Sequence, residues 1–207
     1  MFARESMPGV ALGMYGLFLA VSLGWRVWLQ YRRTGDHGFR GFAGGRSYVE
    51  WFGTLFFVIG AALAGASPAL ELLGLVHTFQ TVDTPTLHFA GLSLALLGFA
   101  VTVVAQHQMG DSWRVGVDTR ETTVLKMRGL FTLVRNPIFS GMLLATFGLF
   151  LMTPNVLSAI AFGSLLVGTE VHVRCIEEPY LARVHGSRYL SYARAVGRFF
   201  PLVGRLS

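Results

Sequence analysis

The chain has 207 residues, of which 53% are hydrophobic and only 14% charged, and it carries a net charge of +6 with a mean hydropathy of +0.54. About 25% charged residues is usual for a soluble globular domain, so this composition excludes one. It points to an all-α, polytopic integral membrane protein.

Five uncharged apolar runs set the predicted elements: 10–25, 51–70, 86–109, 138–152 and 156–169. Each approaches or reaches the roughly 20 residues a helix needs to cross a bilayer, and a soluble domain of this size cannot bury all five. No small-x-small cleavage site follows the first run, and Trp25-Arg26-Val27-Trp28 reads as an interfacial anchor, so it is kept as a transmembrane helix. Arg26, Arg32, Arg33, Arg40 and Arg46 follow the first run. No Lys or Arg lies between the second and third. Arg114, Arg120, Lys126, Arg128 and Arg135 follow the third. Thr153-Pro154-Asn155, between the fourth and fifth, is uncharged, and the tail is again basic. This alternation predicts five spans with the N-terminus outside and the C-terminus cytoplasmic. The basic excess then reflects orientation and contact with anionic membrane lipids, not nucleic acid. A bacterial-type inner membrane, with the active site facing the cytoplasm, is the expected location.

The chain reads as one membrane domain over 1–207. Gly41-Phe42-Ala43-Gly44-Gly45 follows no strand pattern and reads as a flexible basic loop instead of a phosphate cradle. Residues 106–135 form a long segment whose mixed composition predicts an ordered cover over the membrane face. Residues 177–196 read as a cytoplasmic interfacial helix, after which Phe199-Phe200-Pro201 docks back. Cys175 is the single cysteine, so no disulfide framework exists.

Two polar clusters flank the fourth and fifth runs. Arg135-Asn136-Pro137 opens the fourth, where Pro137 suits a first helical turn and Asn136 an N-cap. Such a helix start beside an arginine attracts anions. Arg174, Glu177 and Glu178 close the fifth, with Glu170 and His172 nearer the apolar run. Ionisable groups at the edge of hydrocarbon need partners and point to function; an Arg–Glu network that only closes the hairpin is the structural alternative. His88 and His107 read as interfacial histidines. There is no HExxH or CxxC spacing, so no metal site is expected, and no Gly-x-Ser-x-Gly elbow occurs.

The ordered residues Gly129-Leu130-Phe131, Arg135-Asn136-Pro137-Ile138-Phe139-Ser140-Gly141, Glu177-Glu178, Gly186-Ser187-Arg188-Tyr189-Leu190-Ser191-Tyr192 and Pro201 resemble the isoprenylcysteine carboxyl methyltransferase family and its phospholipid methyltransferase relatives. The resemblance places a catalytic portion at 106–201. It implies S-adenosylmethionine as cofactor, held by Thr123, Val124, Leu125, Lys126, Phe131, Arg135, Asn136, Pro137, Ile138, Phe139 and Glu177 or Glu178. It also implies Arg174 for the substrate carboxylate and Glu178 as a catalytic carboxylate. Asn136 stands where the family has His, and Phe139 where it has Tyr. Asn cannot act as a base near neutral pH, which favours O-methylation of a lipophilic or lipidated acid over N-methylation of a phospholipid. A nicotinamide-dependent membrane sterol reductase shares the C-terminal pattern and is a further alternative; a membrane scaffold is the non-enzymatic one.

Overall fold

The computed structural model describes residues 2–38, 48–116 and 124–206. Seven α-helices run in chain order: α1 (Phe2–Leu19), α2 (Arg26–Thr34), α3 (Tyr48–Leu72), α4 (Pro85–Met109), α5 (Pro137–Met152), α6 (Val156–His172) and α7 (Glu178–Ala195). The described residues contain no strand. The turn Ala20–Trp25 joins α1 to α2, and Val173–Glu177 joins α6 to α7; both are π-helical. Ser6–Thr34, Tyr48–Leu72, Pro85–Ser112 and Val156–Ala195 are long and apolar enough to cross a membrane, and α5 is a shorter apolar helix of 16 residues. Its length is about 24 Å at the helical rise, short of the roughly 30 Å of bilayer hydrocarbon.

Small residues decide which helices pack. The α4 positions Gly91, Ala95, Gly98 and Thr102 face Gly141, Ala145 and Gly148 of α5; Gly53 and Gly60 of α3 face Ala161, Leu165 and Gly168 of α6. The turn at Thr153-Pro154-Asn155 makes α5 and α6 antiparallel, as expected. Each nevertheless packs chiefly on another helix, α5 on α4 and α6 on α3. Without a hydrophobic driving force inside lipid, close backbone approach along small residues supplies the contact. A Cβ on Gly98 would lie 2.5 Å from the Gly141 carbonyl oxygen. Gly98→Val is therefore expected to destabilise the protein by about 1–3 kcal/mol, measured by thermal unfolding in detergent. Gly163→Ala, with nothing near its Cβ, should leave the midpoint unchanged or raise it slightly.

The two bundle ends differ in chemistry. At one end, Asn155 caps α6 through a reciprocal bond with Ser158, accepts from Ser67 Oγ at 3.0 Å and donates to Glu71 at 2.9 Å. Here His88 is only 2% exposed and lies 2.9 Å from Asp83, so it is a buried, paired group and not the interfacial histidine expected. The opposite end gathers the close of α2, α4 and α6, the start of α5 and the basic tail. Arg26 reaches Gly110 and Gln30 reaches the Asp111 carbonyl there, while Arg135 meets Glu178. Which end faces the cytoplasm remains the expectation from charge.

Residues 177–196 are not one straight interfacial helix. α7 continues α6 through the π turn and bends at Gly186, whose φ of +53° is outside the helical region. Glycine alone takes this conformation without a Cβ penalty.

Candidate active site

The polar end contains a cavity of about 390 Å³. Its floor comes from the start of α5: Arg135, Asn136, Pro137, Ile138 and Phe139 all line it. Pro137 occupies the first turn of α5 as the sequence predicts. Asn136 sits at the N-cap position, but its side chain makes no capping bond. Its φ of −125° and ψ of 61° turn it toward the tail, where Nδ2 and the backbone N–H both donate to the Arg198 carbonyl, at 3.3 and 3.1 Å. The N-terminus of α5 is thus left to the cavity and not satisfied by its own cap.

Arg135 is held from behind by the returning tail. One guanidinium nitrogen donates to the Ala193 and Val196 carbonyls, and another to Glu178 and the Gly204 carbonyl. Glu178 also accepts two bonds from Arg198, at 2.8 and 2.9 Å. A single buried carboxylate between two guanidiniums, each with further bonds, is the arrangement in which a buried ion cluster is satisfied. Hydrogen bonding to Glu178 holds the Arg198 guanidinium above its ordinary pKa. The backbone completes the joint: Val134 bridges Gly197, and Arg135 N–H donates to the Gly197 carbonyl at 2.8 Å. Phe199 docks as expected, packing with Leu143, Leu165 and Val173, whereas Phe200 stays exposed.

The π turn then selects which carboxylate meets the cavity. In a π turn, residues five apart share a face. His172 and Glu177 lie 3.2 Å apart, and both line the cavity. The His172 ring meets Phe139 edge-on at 5.9 Å between centroids.

Of the residues implicated from sequence, Val124, Leu125, Lys126, Phe131, Arg135, Asn136, Pro137, Ile138, Phe139 and Glu177 come together around this cavity. Thr123 lies outside the described residues. Two expected residues do not line it. Glu178 lies behind Arg135 as its counter-ion, because the π turn rotates it away. Arg174 is 58% exposed in its side chain and pairs with Glu170 one turn back along the helix. Neither placement puts a charged atom where a substrate in the cavity would touch it. Conversely, His172, Trp113, Tyr189 and Tyr192 line the cavity unforeseen, and Arg198 enters the ion cluster. A buried glutamate beside an arginine-rich tail was the available signal for Arg198. Nothing in the sequence marks the π turn that brings His172 forward.

The opposite wall is apolar. Phe18, Leu19 and Leu23 from the first span, Phe57 and Ala61 from α3 and Met142 from α5 carry the cavity into the part of the bundle that faces hydrocarbon. Trp113, 3% exposed, and Phe131, 7% exposed, roof it from the segment after α4. That segment covers the membrane face, as its composition predicts.

A sequence model of the phospholipid methyltransferase family matches residues 86–188, from α4 through the first half of α7. Protein-S-isoprenylcysteine O-methyltransferase B of Arabidopsis thaliana is 30% identical over 115 residues, 55% of this chain and 58% of that protein. The chain belongs to the isoprenylcysteine and phospholipid methyltransferase family. It spans little more than half the length of the curated relative it matches. A solved structure of the eukaryotic intramembrane Ras methyltransferase ICMT, an isoprenylcysteine carboxyl methyltransferase, shares the fold, with a TM-score of 0.66 at 18% identity. The match covers 99% of this chain and 70% of that one, so the family's membrane architecture extends to α1–α3, beyond the region the sequence model matches.

Proposed function

We propose that this family member is an S-adenosylmethionine-dependent membrane methyltransferase acting on the head group of a lipophilic acid. The observation that carries the reading is the two-sided cavity: a charged wall at the ends of α5 and α6 is continuous with an apolar wall reaching between α1 and α3. An amphiphilic acceptor and a polar cofactor can meet in such a space, and a wholly polar or wholly apolar one would exclude one of them.

The donor set fits the cofactor. Glu177 offers a carboxylate for its ammonium, the free start of α5 beside Arg135 suits its carboxylate, and Phe131, Tyr189 and Tyr192 offer aromatic faces for its adenine. S-adenosylmethionine supplies, when bound, a methyl group already activated on a sulfonium. The chain's residues therefore need to orient, exclude water and set the local charge. Trp113 and Phe131 exclude water from above. Arg135, fixed by Glu178 and three carbonyls, supplies a positive charge that does not move. Glu178 works through Arg135 as a positioning residue. Arg174, at the exposed end of the π turn, can meet an acid only outside the cavity.

His172 supports a second reading. An acid acceptor is ionised without help, but an ammonium must lose a proton before it is methylated, and Asn136 cannot take it. His172, in the cavity and paired to Glu177, places an imidazole there after all. N-methylation of an aminophospholipid is thus the alternative. Purified protein given labelled S-adenosylmethionine with farnesylcysteine acid or with phosphatidylethanolamine separates the two. Label in the prenylated acid as a base-labile ester is expected; label in the phospholipid alone would establish the second reading, and label in neither would count against both. In the same assay Phe139→Tyr, which adds a hydroxyl beside His172, is expected to retain activity, whereas His172→Ala should abolish only an N-methylation.

A further inference from the structure

A second, smaller cavity of about 60 Å³ lies on the flank of the bundle between α2 and the end of α4, lined by Trp25, Arg26, Arg33, Gln106 and His107 among others. Arg26 is 5% exposed. One of its nitrogens, Nη2, donates to the Gly110 carbonyl, and its guanidinium lies over the Trp113 ring, 4.7 Å from the centroid. Nε and Nη1 are buried with no hydrogen-bond partner. No carboxylate among the described residues pairs with Arg26. Arg33, whose contact to Asp111 is a long 4.0 Å, brings a second positive charge to the same cavity.

This is costly as it stands. A buried guanidinium without a counter-charge loses its hydration and gains little in return. Two unsatisfied N–H groups on one edge form the fork that oxyanions accept bidentately. The surroundings indicate where the anion comes from. Trp25 is 55% exposed on the bundle surface and its ring lies 4.6 Å from that of Trp28, an aromatic pair of the kind found at head-group level. Basic pockets at that level bind anionic head groups.

We propose that the Arg26 cavity is a binding site for the phosphodiester of an anionic phospholipid, separate from the candidate active site. Arg26 Nε and Nη1 donate to the phosphate oxygens, and Arg33 and His107 border the same space. The site touches the main cavity indirectly. Gln106, which donates to the Ser22 carbonyl at 2.8 Å, lines both cavities, and Trp113, under the Arg26 guanidinium, roofs the larger one. A bound head group therefore fixes the stack that covers the candidate active site.

Native mass spectrometry of the full chain in detergent tests this without reference to any activity. With phosphatidylglycerol and phosphatidylcholine offered at equal concentration, one phosphatidylglycerol is expected to be retained in preference. Arg26→Gln should weaken its retention about tenfold or more, the usual worth of charge-assisted bonds. Arg33→Gln, at a half-exposed position, should weaken it less and remain folded. Arg188→Gln, on the exposed side of α7, should not change it. Unchanged retention in Arg33→Gln or in folded Arg26→Gln overturns the site, as does equal retention of phosphatidylcholine. Displacement by inorganic phosphate at equal concentration would overturn the lipid assignment in favour of a free oxyanion.

Discussion

Glu178→Gln is expected to cost the detergent-purified protein about 3 kcal/mol of stability, because breaking a buried ion pair leaves uncompensated charge behind. The geometry makes this larger than a single lost contact. Glu178 accepts from Arg135 and twice from Arg198. A glutamine keeps the shape but leaves two guanidiniums facing each other with no negative charge between them. Arg135 in turn bonds carbonyls of Ala193, Val196 and Gly204, so the tail loosens together with the cavity floor. For a chain of this size such a loss lowers the melting midpoint by on the order of 10 °C. Arg198→Ala should reproduce most of the effect although Arg198 does not line the cavity. A Glu178→Gln protein that melts like the wild type would show that the cluster is not what joins the tail to α5.

Glu177→Gln is expected to do the opposite: leave melting nearly unchanged and weaken S-adenosylhomocysteine binding by about tenfold to a hundredfold, the range of hydrogen bonds to a charged group. Glu177 is partly exposed, and its ion-pair partner is His172, so its loss strands no buried charge. The two adjacent glutamates thus separate by experiment. One holds the fold and the other meets the ligand, and the difference arises from the π turn that directs them to different sides. If Glu178→Gln lost binding with an intact fold while Glu177→Gln bound normally, the assignment of the two carboxylates would be reversed.

Much of this was legible in the sequence because hydropathy and charge act locally. The apolar runs, the loop-by-loop alternation of arginine and the order of Arg135-Asn136-Pro137, Glu177-Glu178 and Pro201 gave the membrane class, the helices and the residues around the cavity. What sequence could not give depends on relations set by three-dimensional packing. The partner choice of α5 and α6 depends on Gly98 meeting Gly141 and Gly60 meeting Leu165, contacts between residues far apart in the chain. The side chain of Asn136 left its own helix because the Arg198 carbonyl came within reach. Arg174 and Glu178 were placed in the site by counting along a regular helix, but one extra residue in the turn Val173–Glu177 rotates everything after it. His172 became a cavity residue for the same reason. His88 was expected at an interface because it lies near a helix start, where Asp83 in fact buries it.

The central claim is that the cavity between the α5 start and the π turn holds S-adenosylmethionine. Calorimetric titration of the purified full chain with S-adenosylhomocysteine, with NADPH titrated in parallel, tests it most directly. Saturable one-to-one binding of S-adenosylhomocysteine, weakened in Glu177→Gln and absent for NADPH, is the predicted result. Binding of NADPH alone, or of neither compound by a sample with a cooperative melting transition, would contradict it.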